Sequence, residues 1–186
     1  MIDLHIHILP AVDDGAESWD DALAMAELAV VDGVTEVVAT PHQCDGLYNV
    51  DNETVCTAVA ALKRRLESAG IPLQVRPGGD VHLLPGVVED LQQGRAMTIN
   101  NGGAYMLVEM PHNVVPEHFG DVLFRLQLEG YIPIITHPER NLGVQDDIGC
   151  LGPLAQAGNL IQVTAGSLVG LFGGAPETCA RELVAQ

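Results

Sequence analysis

Near its start the chain reads MIDLHIHILP, which sets Asp3, His5 and His7 at alternate positions with Ile2, Leu4, Ile6 and Ile8 between them. Side chains on an extended strand alternate between faces. Both imidazoles therefore share one side with Asp3, and the aliphatic residues are free to pack on helices from the other. Neutral imidazole and carboxylate together suit Mn²⁺, Zn²⁺ or Fe²⁺. The theme recurs along the chain. His42 closes EVVATPH, Asp80 lies in PGGDVH, Glu109 is embedded in YMLVEMP, and His137 closes IPIITH ahead of Glu139 and Arg140. Any one of these reads equally well as a satisfied core histidine or a capping carboxylate. Five of them at the C-terminal ends of consecutive strand candidates point to a shared metal site, because barrel enzymes gather their chemistry at that end. Asp13 and Asp14, in AVDDG, offer a further ligand or simply form the turn beside Gly15. His82, two residues after Asp80, has the spacing to face the same way. His112 and His118 read as loop and helix-surface residues and are left out of the site.

The elements that must position these side chains alternate. Apolar, β-branched runs occur at Ile2–Leu9, Glu36–Thr40, Leu73–Val75 (extending as far as Val81), Tyr105–Met110, Ile132–Thr136 and Leu160–Thr164. The first helix is predicted to start at Ser18, with Asp21 as its reciprocal capping partner, and to stop at Gly33. A second runs from Asp51 to Gly70, with Val55, Val59, Leu62 and Leu66 on its inner face. Shorter helices follow Pro85 and Pro116, another precedes Gly158, and a last one begins near Pro176. Strand–helix alternation of this kind favours a parallel α/β sheet, either doubly wound or closed as a barrel.

Composition narrows the chemistry further. The chain has 186 residues, 8 basic against 25 acidic, for a formal charge of −17. Lys63 is its one lysine, so a basic face for gripping a nucleic-acid backbone is excluded. No apolar run reaches the ~18 residues of a membrane span, and the opening lacks the basic and apolar regions of a signal peptide, so a cytoplasmic protein without membrane insertion is expected. The four cysteines, Cys44, Cys56, Cys150 and Cys179, form no C-x-x-C pair, which points to reduced thiols. None has an arginine six residues on, as a cysteine-dependent phosphatase requires. Neither a G-x-S-x-G elbow nor a P-loop is present.

The segments MIDLHIHILPAVDDG, ATPHQ, YMLVEMP, LQLEGYIPIITHPERN and VTAGSLVG resemble the polymerase-and-histidinol-phosphatase (PHP) superfamily. Within it they are most similar to the bacterial tyrosine-protein phosphatases of capsule and exopolysaccharide operons, the CpsB/CapC type. The resemblance implies a distorted, TIM-like β/α barrel, here of about six βα units and incomplete, forming one domain over residues 1–186 that is C-terminally shortened. It implies a cluster of two or three divalent ions, typically manganese, with zinc or iron as alternatives. By position, His5 and His7 would bind one metal, Asp80 would bridge to a second held by Glu109 and His137, and Asp14 and His42 would bind a third. Arg140 would contact phosphate. Implied with these is in-line attack on phosphorus by a hydroxide held between two metals. The implied substrate is phosphotyrosine on the C-terminal tail of a tyrosine autokinase. Two departures stand out: the bridging position usually holds Glu where this chain has Asp80, and the family's Ser-Asp-Ala-His-like motif is lacking. Alternative readings are a phosphoesterase of small phosphate esters and a catalytically incomplete metal-binding regulatory module. An unpaired strand edge at the open side of an incomplete barrel also predicts self-association.

Overall fold

The computed structural model describes residues 1–48 and 50–185, and the α/β class with parallel strand pairing is as expected. Among the described residues there are eight strands: β1 (Ile2–Ile6), β2 (Glu36–Ala39), β3 (His42–Gln43), β4 (Gln74–Pro77), β5 (Asp80–His82), β6 (Tyr105–Glu109), β7 (Ile132–Thr136) and β8 (Leu160–Gln162). The helices are α1 (Trp19–Val31), α2 (Asn52–Ala69), α3 (Val87–Gln92), α4 (Phe119–Leu128), α5 (Leu142–Asp146), α6 (Leu151–Gln156), α7 (Ala165–Leu168) and α8 (Gly174–Ala185). They belong to two compact units, one of Met1–Val81 with Gly86–Met106, the other of His82–Pro85 with the chain from Leu107 on. No helix among the described residues is long and apolar enough to cross a membrane.

In the first unit β1, β2 and β4 form a parallel sheet in that order, with Asp3 beside Val37 and Val37 beside Val75. A separate parallel pairing sets His42 of β3 beside Asp80 of β5. The predicted second strand therefore splits at Pro41, and the third splits at Gly78–Gly79. α1 begins where its cap chemistry dictates: Ser18 Oγ accepts the Asp21 N–H at 3.1 Å and donates to the Asp21 carboxylate at 2.7 Å. α2 is capped by Asp51, whose carboxylate accepts the Thr54 N–H at 2.9 Å, and ends on Gly70 at φ 70°. Val55, Val59, Leu62 and Leu66 are buried along it, a stripe of the 3.6-residue period. They join Ile8, Leu9, Ala22, Ala26, Val37 and Val75 in one core.

β1 departs from its expected packing. Ile8 is fully buried, yet Ile2 is 58 % and Leu4 43 % exposed. β1 lies at the edge of its sheet among the described residues, so the first half of the strand has a neighbour on one side only. The strand also ends at Ile6 rather than Leu9, because the chain bends there into the loop that carries Asp13 and Asp14.

In the second unit β7 and β8 pair in parallel, Ile135 beside Ile161. Thr136 Oγ1 donates to the Val108 carbonyl at 3.2 Å and ties β7 to the end of β6. α4 buries Phe119, Val122, Leu123 and Leu126 and stops before Gly130, which takes φ 91°. α5 and α7 have no counterpart in the sequence reading. Both are single turns started by tertiary hydrogen bonds rather than by an amphipathic stripe.

Candidate metal centre

In the first unit β1 delivers His5, and its continuation delivers His7. Their Nε2 atoms lie 3.2 Å apart. The loop that follows doubles back on the strand exit: the Ala16 N–H donates to the His7 carbonyl at 3.1 Å, and the Ala11 N–H donates to the Ala16 carbonyl at 2.9 Å. Gly15 packs so tightly against His7 that a β-carbon there would overlap its carbonyl oxygen. This fold-back places both aspartates of AVDDG beside the histidine. Asp13 Oδ2 lies 2.6 Å from His7 Nδ1 and also accepts the His42 N–H at 3.1 Å, while its Oδ1 accepts the Gly15 N–H at 3.0 Å. Asp14 Oδ1 lies 3.6 Å from His7 Nδ1 and 3.5 Å from His42 Nε2.

Asp80 enters from β5. Its side chain is fully buried, with Oδ2 3.4 Å from His5 Nε2 and 3.8 Å from His42 Nδ1. Two triads thus have donor atoms that lie within 4.8 Å of one another: His5, His7 and Asp80, and His7, Asp14 and His42. Two imidazole nitrogens at 3.2 Å repel through their lone pairs unless a proton or a cation sits between them. A fully buried carboxylate likewise requires a compensating charge. The donor set therefore fits a bound divalent cation.

Asp13 has a different task from Asp14. Burial alone would raise its pKa, but the hydrogen bond and positive charge offered by His7, with the N–H groups of Gly15 and His42, hold it below the ordinary carboxylate value. An ionised carboxylate at Nδ1 fixes the His7 proton there and leaves Nε2 as a donor pair, the usual orienting partner of a metal-binding histidine. The AVDDG motif alone offers either aspartate as ligand or turn former, and the resemblance implies Asp14. The distances separate them.

The thiol nearest this cluster in sequence is no nucleophile. Burial, then the charge and hydrogen bonding of Asp90, push Cys44 up to about 11. Cys179 is likewise pushed up to about 11 by burial. A thiol that holds its proton at neutral pH cannot attack phosphorus, which agrees with the missing Cys-x₅-Arg.

In the second unit, Glu109 ends β6 and His137 follows β7, with His137 Nε2 3.7 Å from Glu109 Oε1. His137 adopts the left-handed conformation at φ 33°, uncommon for a side chain with a β-carbon, and its N–H donates to Gln162 Oε1 at 3.3 Å. This turn starts the 3₁₀ segment Pro138–Arg140. Glu109, His112, Thr136, His137 and Arg140 line one cleft. His112, left out of the site on sequence, is an exposed member of its wall. Glu139 is fully buried, and its Oε1 accepts the Thr164 N–H at 3.0 Å and the Ser167 hydroxyl at 2.7 Å. Arg140 lies with its guanidinium carbon 4.5 Å above the ring of Phe172. Two aromatic neighbours escaped the sequence reading: Phe172 here and, in the first unit, Tyr48, whose ring stacks on His42 at 6.2 Å and 9°. Neither carries a local signal, since each depends on a loop's return path.

Comparison with known proteins adds to this geometry. Over 173 residues, 93 % of this chain and 68 % of the relative, the chain is 40 % identical to tyrosine-protein phosphatase YwqE of Bacillus subtilis. Over 173 residues, again 93 % of this chain and 68 % of the relative, it is 36 % identical to the putative tyrosine-protein phosphatase CapC of Staphylococcus aureus. Crystal structures of YwqE from Bacillus subtilis and CpsB from Streptococcus pneumoniae are described as those of unique metal-dependent tyrosine phosphatases. One chain of that work matches all of this chain and 74 % of its own length, at a TM-score of 0.95 and 39 % identity. The profile of the family described as capsular polysaccharide synthesis, CpsB/CapC, matches residues 1–186. The chain belongs to the CpsB/CapC family.

Proposed function

We propose that this chain is a metal-dependent protein-tyrosine phosphatase, a phosphoric monoester hydrolase of capsule and exopolysaccharide synthesis. The observation that carries the reading is the clustering of His5, His7, Asp14, His42 and Asp80 around shared donor positions, in a chain whose relatives are named tyrosine phosphatases. In this reading His5 and His7 hold one ion and Asp14 and His42 another. Asp80, Glu109 and His137 are the remaining proposed ligands. Manganese is the proposed ion, and the same donors suit zinc or iron. Divalent ions bound there supply Lewis acidity, lowering the pKa of water and neutralising phosphate charge.

The chain's own residues do the rest. Asp13 holds the His7 proton at Nδ1, so that Nε2 stays available. Arg140, on its 3₁₀ turn, binds phosphate oxygens through its planar fork and stabilises charge as it develops in the transition state. A tyrosyl leaving group has a pKa of about 10 and departs with less acid assistance than an alkoxide. The proposed substrate is the phosphotyrosyl tail of a tyrosine autokinase, and the proposed location is the cytoplasm.

The test is phosphate release by the manganese-loaded chain from a phosphotyrosyl peptide, histidinol phosphate and a sugar phosphate, with His5→Ala as control. Turnover of the peptide that is lost in the variant is the expected result. Release from the small esters alone would move the chain to the small-ester phosphoesterases of the superfamily. Tight manganese binding without turnover of any ester would leave a metal-binding module and no enzyme.

A further inference from the structure

A phosphotyrosyl group offers two things to bind: a dianion and, one oxygen away, a flat apolar ring. The second unit presents complementary surfaces for both side by side. Arg140 lies over Phe172, its guanidinium carbon 4.5 Å from the ring centroid, and among the described residues no carboxylate forms an ion pair with it. A guanidinium seated on an aromatic face is held by the ring quadrupole while the N–H groups at its rim stay free for a planar, bidentate partner. The segment that carries Phe172 leaves apolar side chains in water: Phe172 is 39 %, Leu171 74 % and Val169 79 % exposed.

The segment carrying these side chains is built rather than loose. Its start is tied to the neighbour of Arg140, because the buried Glu139 carboxylate accepts the Thr164 N–H and the Ser167 hydroxyl. Its middle is closed by the Leu171 N–H donating to the Gly166 carbonyl at 3.0 Å, and the Arg181 guanidinium donates to the Leu168 carbonyl at 2.8 Å. Gly166 is the contact point: a β-carbon there would lie 3.0 Å from Leu171 Cδ2 and 3.2 Å from Phe172 Cε2. Gly170 and Gly173, at φ 75° and 98°, supply the left-handed turns on either side of Leu171 and Phe172. Four hydrogen bonds and the close packing at Gly166 thus fix an exposed apolar lip beside Arg140.

We propose that Phe172 is the specificity-determining residue of this site: it positions Arg140 for the phosphate and, with Leu171, packs against the phenyl ring of an aryl phosphate monoester, so that aryl esters are selected over alkyl esters. The proposal rests on the phosphatase reading and deepens it. Because Phe172 acts on phosphate only through Arg140, it is a positioning residue toward the dianion and a contact residue toward the ring. The two roles separate by substitution. Leucine keeps apolar surface and removes the aromatic seat, alanine removes both, and tyrosine restores both.

The experiment is calorimetric titration of the manganese-loaded full chain with phenylphosphonate and methylphosphonate, stable mimics of an aryl and an alkyl monoester. The wild type is expected to bind the phenyl compound about tenfold tighter, as burial of a ring face requires. Phe172→Ala should abolish that ratio and weaken methylphosphonate as well. Phe172→Leu should keep most of the ratio but weaken both ligands, and Phe172→Tyr should restore both affinities. An unchanged ratio in Phe172→Ala, with both ligands still bound, would overturn the proposal and leave the phosphatase reading standing. A wild-type chain that binds neither phosphonate would count against the phosphatase reading itself.

Discussion

Asp13 and Asp14 are adjacent in sequence and chemically similar, yet they face different tasks because a closed loop presents them differently to the same imidazole. Asp13, largely sequestered, takes hydrogen bonds from His7 and from two backbone N–H groups, whereas Asp14 is 61 % exposed at its side chain and reaches toward both His7 and His42. Removal of the orienting partner, Asp13→Ala, is expected to weaken manganese binding by about 10–100-fold while the fold is retained. A manganese titration followed by electron paramagnetic resonance reads this directly, and an unaltered affinity would show that His7 needs no orienting carboxylate. At the same scale, the high pKa of the Cys44 and Cys179 thiols predicts that iodoacetamide at pH 7 leaves phosphate release unchanged. Loss of activity on alkylation, prevented by a phosphate competitor, would restore a cysteine mechanism.

At the scale of elements, α2 shows how local chemistry sets a boundary. Asp51 caps it by accepting hydrogen bonds from the Thr54 N–H and hydroxyl, and these hold its carboxyl below the ordinary value. The sign of the linkage follows. A carboxyl whose folded pKa is depressed adds stability that is fully present above its unfolded pKa of about 3.9 and is lost as pH falls through the lower folded value. Asp51→Ala should therefore destabilise the chain by about 1 kcal/mol at pH 7, and the gap should close as urea denaturation is repeated below pH ~4. An equal gap at every pH would mean that the charge plays no part in the cap. The start of α1 at Ser18, the span of α2 from Asp51 to Gly70 and the burial of Val55, Val59, Leu62 and Leu66 were all readable beforehand, because caps and the 3.6-residue stripe act over a few residues. The two-residue strand β3 was not. It exists only because His42 and Gln43 find Asp80 and Val81 beside them, a pairing between segments nearly forty residues apart. The single turns α5 and α7 escaped for the same reason: α5 is begun by Asn141, whose side chain accepts the Val144 N–H and donates to the Pro111 and Val114 carbonyls, and α7 by the reach of Glu139.

For the molecule as a whole, the exposed apolar positions of β1 carry a consequence. Ile2 and Leu4 lie on a strand that forms the edge of its sheet among the described residues, and such an edge pairs readily with another chain. The chain is expected to self-associate with rising concentration in sedimentation velocity, and Ile2→Lys should shift it toward the monomer. A strictly monomeric wild type at high concentration would remove this expectation.

By itself the sequence determined the α/β class, the parallel alternation, the main helix boundaries and the kinds of donor available for metal, because each of these follows from periodicity, capping and side-chain chemistry within short windows. It also carried the family resemblance through motifs that are continuous in the chain. Tertiary structure alone decided which aspartate orients His7, where the strand carrying the histidines ends, and which aromatic ring seats Arg140. Those outcomes depend on where a loop returns, and a loop's path is set by long-range packing and by single close contacts such as Gly15 against His7 and Gly166 against Phe172.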